Sequence, residues 1–285
     1  MPCELIENNG AALKECILAY TDLWNLDEAF KSWVENHIQF YNTLVDRIVP
    51  GHPGEAEDDK IRAIGEEDPF ATIGEYYHQW VIEKGESLET ILPLKSAGLN
   101  VIYPKELKPF RDRKVRVLNG AHTAMVSVGI RAKVETVGEL MNHPDLGPFL
   151  IELMREEIAP TIQQYQEEIL NYVDEIVERF KNPFIKHKLS DISLNSISKF
   201  KTRLFPSFFD YIELKGHPPR KIAYCFQVLI ESMKTNSESL NFRDDPKILS
   251  VIKNNEFDEI LKSQEMWGSW QARLEDAMRA VERSS

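Results

Sequence analysis

Between residues 162 and 180 the apolar side chains fall every three or four positions: Ile162, Tyr165, Ile169, Tyr172, Val173, Ile176 and Phe180. This spacing draws one apolar stripe along about five turns of helix. A stripe of that length must be buried against other elements, so it constrains the surrounding chain to be layered and largely helical. Asn182-Pro183 ends the run, because proline cannot continue a helix. From Arg113 onward helix signals dominate, and further helices are predicted near 192–201, 218–234, 246–254, 256–266 and 270–282. Before that point the pattern is mixed. Residues 11–42 read as two helices, the second opened by Asp27 as N-cap. "NTLVDRIVP" (42–50), "YYHQWVIE" (76–83) and "LNVIY" (99–103) read as short extended pieces, and "GHPGEAEDD" (51–59) as a loop. The expected fold class is mainly α: a multi-helical domain over 111–285, preceded by a segment over 1–110 of helices plus a few short strands.

Charge and composition remove several function classes. The 285 residues carry a formal charge of -12, whereas a nucleic-acid binder needs a basic face to displace counterions. No apolar run reaches the roughly 18–20 residues that span a bilayer, and no signal peptide is visible. The expectation is a cytoplasmic protein with neither nucleic-acid nor membrane partners. Cys3, Cys16 and Cys225 are odd in number and form no CxxC pair, which fits free thiols in a reducing compartment. The seven histidines form no HExxH and no zinc spacing with cysteine, so no metal is expected. GxSxG, P-loop and GxGxxG motifs are all absent from the sequence.

The stretch "RKVRVLNGAHTAM" (113–125) carries the strongest chemistry. On an α-helix Asn119 lies about 140° and His122 about 80° from Lys114, so the three can line one broad face. A lysine desolvated between apolar neighbours has a lowered pKa and can act as a general base. An amide and an imidazole can hold an alcohol oxygen and the alkoxide or carbonyl oxygen it becomes. Such a trio would oxidise an alcohol without metal, passing hydride to a cofactor. Gly120 costs helix propensity and would let another group approach the backbone. The same residues also suit an amphipathic helix with a surface lysine, an Asn-Gly break and a satisfied core histidine.

"KVRVLNGAHT" resembles the Lys-x4-Asn-x2-His signature of the mannitol dehydrogenase family, the polyol-specific long-chain dehydrogenases. "PCELIENNG" (2–10), "NTLVDRIVP" (42–50), "QWVIE" (79–83) and "NSISK" (195–199) resemble other family blocks in the same order, so the resemblance covers nearly the whole chain. "CELIENNG", "DRKVRVLNGAHT" and "DISLNSISK" are most similar to the branch that interconverts altronate and tagaturonate. The resemblance implies an NAD-dependent sugar-acid dehydrogenase. In it Lys114 would be the catalytic acid/base, Asn119 would stabilise the oxyanion and His122 would orient the substrate. Asp46 and Lys199 would bind substrate. Taken without the resemblance, Asp46 suits a local ion pair with Arg47, and Lys199 a solvated helix residue.

Three departures mark the chain. Leu5 stands where mannitol dehydrogenases have a second oxyanion asparagine, for which Asn8 or Asn9 could substitute. Asp191 stands in place of a substrate-binding arginine. Arg111, with Asp112 beside it, stands in place of a glutamate credited with proton relay. These changes point away from mannitol. Mannonate/fructuronate, another polyol, or a non-catalytic helical domain are the alternatives. The chain also begins where the resemblance places the end of the NAD-binding Rossmann domain. That domain is therefore expected to be absent here, to bind most of the NAD in the intact protein, and to leave this chain inactive alone.

Overall fold

The computed structural model describes residues 1–51, 70–162, 166–235 and 242–283. They form two compact units, Met1–Asp112 and Arg113–Ser285.

The first unit opens with α1 (Asn9–Leu23) and α2 (Glu28–His37). Asp27 caps α2 as expected, its carboxylate accepting from Phe30 N at 2.8 Å. Next come β1 (Thr43–Asp46), β2 (Gln79–Ile82) and β3 (Val101–Ile102), one three-stranded sheet in the order β1-β2-β3. β1 runs antiparallel to β2 with Thr43 opposite Ile82, and β2 runs parallel to β3 with Trp80 opposite Val101. Leu44, Val81 and Leu107 form a small core, with Ile102 and Phe110 packed on it. The Asn9-Gly10 pair fastens α1 to this sheet. Asn9 Oδ1 accepts from Thr43 N at 2.8 Å and its Nδ2 donates to Thr43 O at 3.0 Å, which extends the sheet edge by one amide. Gly10 is obligatory because a Cβ there would overlap the Tyr41 carbonyl and lie 2.8 Å from Asn42 N. Of the expected loop over 51–59, Gly51 is described and the remainder lies outside the described residues.

The second unit is helical. α3 (Gly120–Arg131) is its centre: every residue from Gly120 to Gly129 is buried, as expected of a helix packed on all sides. Around it lie α4 (Val137–Asn142), α5 (Leu146–Glu152), α6 (Gln166–Phe180), α7 (Leu189–Ile192), α8 (Ser196–Arg203), α9 (Phe205–Lys215) and α10 (Arg220–Thr235). α11 (Pro246–Asn254), α12 (Phe257–Leu261), α13 (Gln264–Trp267) and α14 (Gln271–Arg283) complete it. Phe200, Phe205, Phe208, Phe226 and Trp267 are almost fully buried and meet ring against ring. Among the described residues, no helix is long and apolar enough to cross a membrane.

Three helices differ from the expected pattern. The 162–180 stripe is buried at Ile169, Tyr172, Val173, Ile176 and Phe180. Its first member is not on that helix, however. Ile162 follows a 3-10 turn through Pro160 and has φ -103, ψ 84, while Tyr165 lies outside the described residues. The expected helix at 192–201 is two pieces, because Asn195 takes the left-handed conformation at φ 56. The expected helix at 256–266 also breaks, where Ser263 caps α13 by accepting from Met266 N at 3.2 Å.

Candidate active site

The Lys114–Asn119 stretch is not an α-helix but a turn of π-helix that leads into α3. Gly120 N donates back to Val115 O, five residues earlier. A turn closed by i→i+5 bonds sets residue i+5 roughly one turn above residue i, as residue i+4 sits in an ordinary helix. Asn119 is thereby brought toward the side of Lys114, closer than the α-helical spacing of about 140° implies. Lys114 is half-buried, and Val117, Leu118 and Asn119 are buried. Gly120 does permit a close approach: a Cβ there would meet Leu204 Cδ2 at 3.2 Å and Arg203 O at 3.5 Å. The end of α8 therefore lies directly against the turn that carries Asn119.

His122 follows on α3 and is 6% exposed. Its ring lies 4.6 Å from Phe180 and edge-on to His187 at 5.0 Å between centroids. Its Nε2 is buried and has no hydrogen-bond partner among the described residues, and the same holds for Nδ1 of His187. Burial holds the His122 imidazole well below its ordinary pKa, and the charges of His187, Arg203, Arg179 and Lys199 push the same way. His122 is thus neutral at physiological pH, with one ring nitrogen available to a ligand. His187 is also lowered, chiefly by burial, with Asp191 opposing. Its backbone is fixed by a bridge between Thr136 and Lys188, where Val137 N donates to His187 O at 3.0 Å.

Lys199 reaches this cluster from α8. It is not a solvated residue: it is partly buried, and Nζ donates to Ile192 O at 2.8 Å. Burial, then repulsion from Arg203, brings its pKa down to about 8, against the pull of Asp244. Asp244 itself caps α8, accepting from Ile197 N at 3.2 Å. Arg203, Arg179 and His187 carry no local sequence signal and were not among the expected site residues. They converge because α6, the 187–189 segment and α8 all pack around α3.

Asp46 belongs to the first unit, where it ends β1 at 2% exposed. Arg47, offered as its alternative ion-pair partner, donates from Nε to Glu75 O at 2.9 Å. The Asn9 amide is committed to Thr43, so it does not stand in for the oxyanion donor lost at Leu5, itself 57% exposed. Arg111 pairs with Glu7 at 2.8 Å and Asp112 with Lys108. A cavity of about 730 Å³, lined among others by Arg131, Glu135, Ser190 and Glu231, opens at the far end of α3. Lys114, Asn119, His122, Lys199, Arg203 and Asp46 are not among its lining residues. Among the described residues, no group of three or more His, Cys, Asp or Glu could hold a metal ion.

The family model for the mannitol dehydrogenase C-terminal domain matches residues 106–281, and that for the mannitol dehydrogenase Rossmann domain matches residues 1–96. The second match overturns the expectation that the Rossmann domain is absent, and with it the expectation that the chain is inactive for want of that domain. The reading by motif failed because it looked for a glycine-rich turn, and the match to residues 1–96 does not depend on one. An altronate oxidoreductase of Bacillus subtilis is 40% identical over 279 residues, covering 94% of this chain and 57% of that protein. One from Escherichia coli is 36% identical over 276 residues, covering 96% of this chain and 55% of that protein. A substrate-free D-sorbitol dehydrogenase structure superposes with a TM-score of 0.78 at 22% identity, covering 97% of this chain and 58% of that one. A Pseudomonas fluorescens mannitol 2-dehydrogenase, in ternary complex with NAD and D-mannitol, gives a TM-score of 0.72 at 21% identity, covering 99% of this chain and 59% of that one. The chain thus spans little more than half the length of these relatives.

Proposed function

The chain belongs to the mannitol dehydrogenase family, and on that premise we propose that it serves an NAD-dependent sugar-acid oxidoreductase interconverting altronate and tagaturonate. The observation that carries the reading is the buried, unpartnered Nε2 of His122, just beyond the π turn that holds Lys114 and Asn119. A buried polar nitrogen without a partner is costly unless a ligand satisfies it. The names of relatives at 36% and 40% identity supply the substrate class.

Oxidising a carbinol removes a proton from oxygen and a hydride from carbon. Lys114 takes the hydroxyl proton in oxidation and returns it in reduction. The Asn119 amide and the neutral His122 ring hold the same oxygen as its charge develops. Lys199, with donors left beyond its bond to Ile192, contacts a further substrate oxygen. Asp46 is the substrate contact assigned to the first unit. Lys114, Asn119 and His122 move protons and stabilise charge but accept no electrons, so the donor set fits a separate hydride acceptor. Bound NAD supplies that acceptor.

Turnover of altronate, mannonate and mannitol with NAD tests the reading. Altronate should be preferred, and Lys114→Ala should abolish most of the activity. Equal efficiency with mannitol would overturn the sugar-acid assignment.

A further inference from the structure

Resting on that reading, we infer that Arg203 is the residue that binds the substrate's carboxylate and so separates sugar acids from uncharged polyols.

Arg203 is the last residue of α8, one turn beyond Lys199 and on the same face. Its guanidinium is partly buried against α3. Among the described residues its side chain makes one hydrogen bond, a long one from Nη1 to Thr123 Oγ1 at 3.4 Å. Thr123 in turn donates to Asn119 O at 2.9 Å and is the neighbour of His122 in the chain. The guanidinium therefore sits beside the turn assigned to the chemistry, with most of its five N–H donors unused.

Among the described residues no carboxylate is paired with this charge. The nearest acids on these elements are otherwise engaged: Asp244 caps α8 through Ile197 N and Ser198 N, and the charge of Asp191 acts on His187. Burial alone, with no acid opposing it, brings Arg203 down to about 10, which leaves it charged at neutral pH. Lys199, one turn earlier on the same helix, is a second partly buried base whose charge reaches His122. Collecting cations in a desolvated place is costly unless an anion completes the set. Lys199 is the poorer candidate for that anion, since its ammonium already serves the Ile192 carbonyl. Arg203 presents a planar fork that matches a carboxylate in two parallel hydrogen bonds. A substrate spanning this region would place its carboxylate on Arg203 and its hydroxyls on Lys199 and His122.

The test compares altronate with altritol, which replaces the carboxylate by a hydroxymethyl group. Calorimetry on this chain measures binding of both, and turnover with NAD gives the KM and kcat of each. Arg203→Met should weaken altronate about 10- to 150-fold, the range for a charge-assisted hydrogen bond. The loss should appear in Kd and KM, and altritol should change by less than about 3-fold. Arg203→Lys, which keeps charge and stem but loses the fork, should recover part of the altronate loss and guards against a folding defect in Arg203→Met. An equal loss for altronate and altritol, or full retention of altronate binding by Arg203→Met, overturns the assignment of Arg203 while leaving the sugar-acid reading intact. A wild-type chain that binds altritol as tightly as altronate overturns both.

Discussion

Lowering the pH should weaken this fold through one imidazole. His122 is 6% exposed, packed between Phe180 and His187, and held well below its ordinary pKa by burial first and by neighbouring positive charges second. The unfolded chain restores a histidine pKa near 6.5. As pH falls through that value, the unfolded state gains a proton that the native state refuses, so unfolding is favoured. The stability is complete above the unfolded pKa and declines below it, until the pH reaches the folded pKa. Between pH 7.5 and 5.5 the loss from this one site is about 1.4 kcal/mol, a tenfold change in the folding equilibrium. With a urea dependence of about 3 kcal/mol per M, that is a midpoint shift of about 0.5 M. His122→Phe isolates the effect: it keeps an aromatic ring in the slot, and Nε2 has no protein partner to lose. Urea unfolding of both proteins at the two pH values should show a smaller drop for the variant by that amount. His187, Glu157 and Asp244, whose pKa values also depart from ordinary, remain in both proteins and largely cancel. Parallel pH profiles would show that His122 is not a buried neutral base, and the reading of its environment would fail.

Other consequences are more direct. Lys114→Ala should cost about 10²–10⁴-fold in turnover at saturating substrate, with partial rescue by a small amine; wild-type turnover would return the lysine to a structural role. Lys199→Met should raise the KM for altronate by about 10-fold or more, the loss of one charged donor, measured by initial rates. Because Lys199 titrates at about 8, its ammonium is complete below that pH and lost above it, so the wild-type KM for altronate should climb as pH rises past 8 and the Lys199→Met profile should be flat there. Gly10→Ala should destabilise the first unit by about 1–3 kcal/mol or more, since its Cβ would strike the Tyr41 carbonyl; an unchanged urea midpoint would contradict that packing.

The sequence reading reached the elements that local pattern encodes. Asp27 as a cap, the short strand at Thr43–Asp46 and the apolar stripe from Ile169 to Phe180 each depend on neighbours a few residues away. The Lys114, Asn119 and His122 trio is likewise a local pattern, and its catalytic role is a proposal. Arg203 and His187 were not legible in this way. Each is ordinary in its own segment and acquires meaning only when α3 draws α6, the 187–189 segment and α8 around itself. The nucleotide-binding domain was missed for a different reason: a motif search asks for a glycine-rich turn, and residues 1–96 match the Rossmann-domain family without one.

The π turn lies between these cases and bears most on the chemistry. No residue pattern distinguishes i→i+5 from i→i+4 bonding in "KVRVLN", so the spacing had to be read as α-helical, which leaves Lys114 and Asn119 about 140° apart. At that angle a proton acceptor and an amide donor serve one substrate oxygen only with long, bent reaches. The extra residue in the turn removes this difficulty by setting Asn119 roughly above Lys114. Exchanging Lys114 with Val115 keeps the turn and its composition but moves the ammonium about a quarter turn round the helix, away from the side that carries Asn119. If the π turn aligns the pair, such an exchange should reduce turnover about as much as Lys114→Ala does. If it instead folds well and keeps wild-type turnover, the alignment is irrelevant to the reaction.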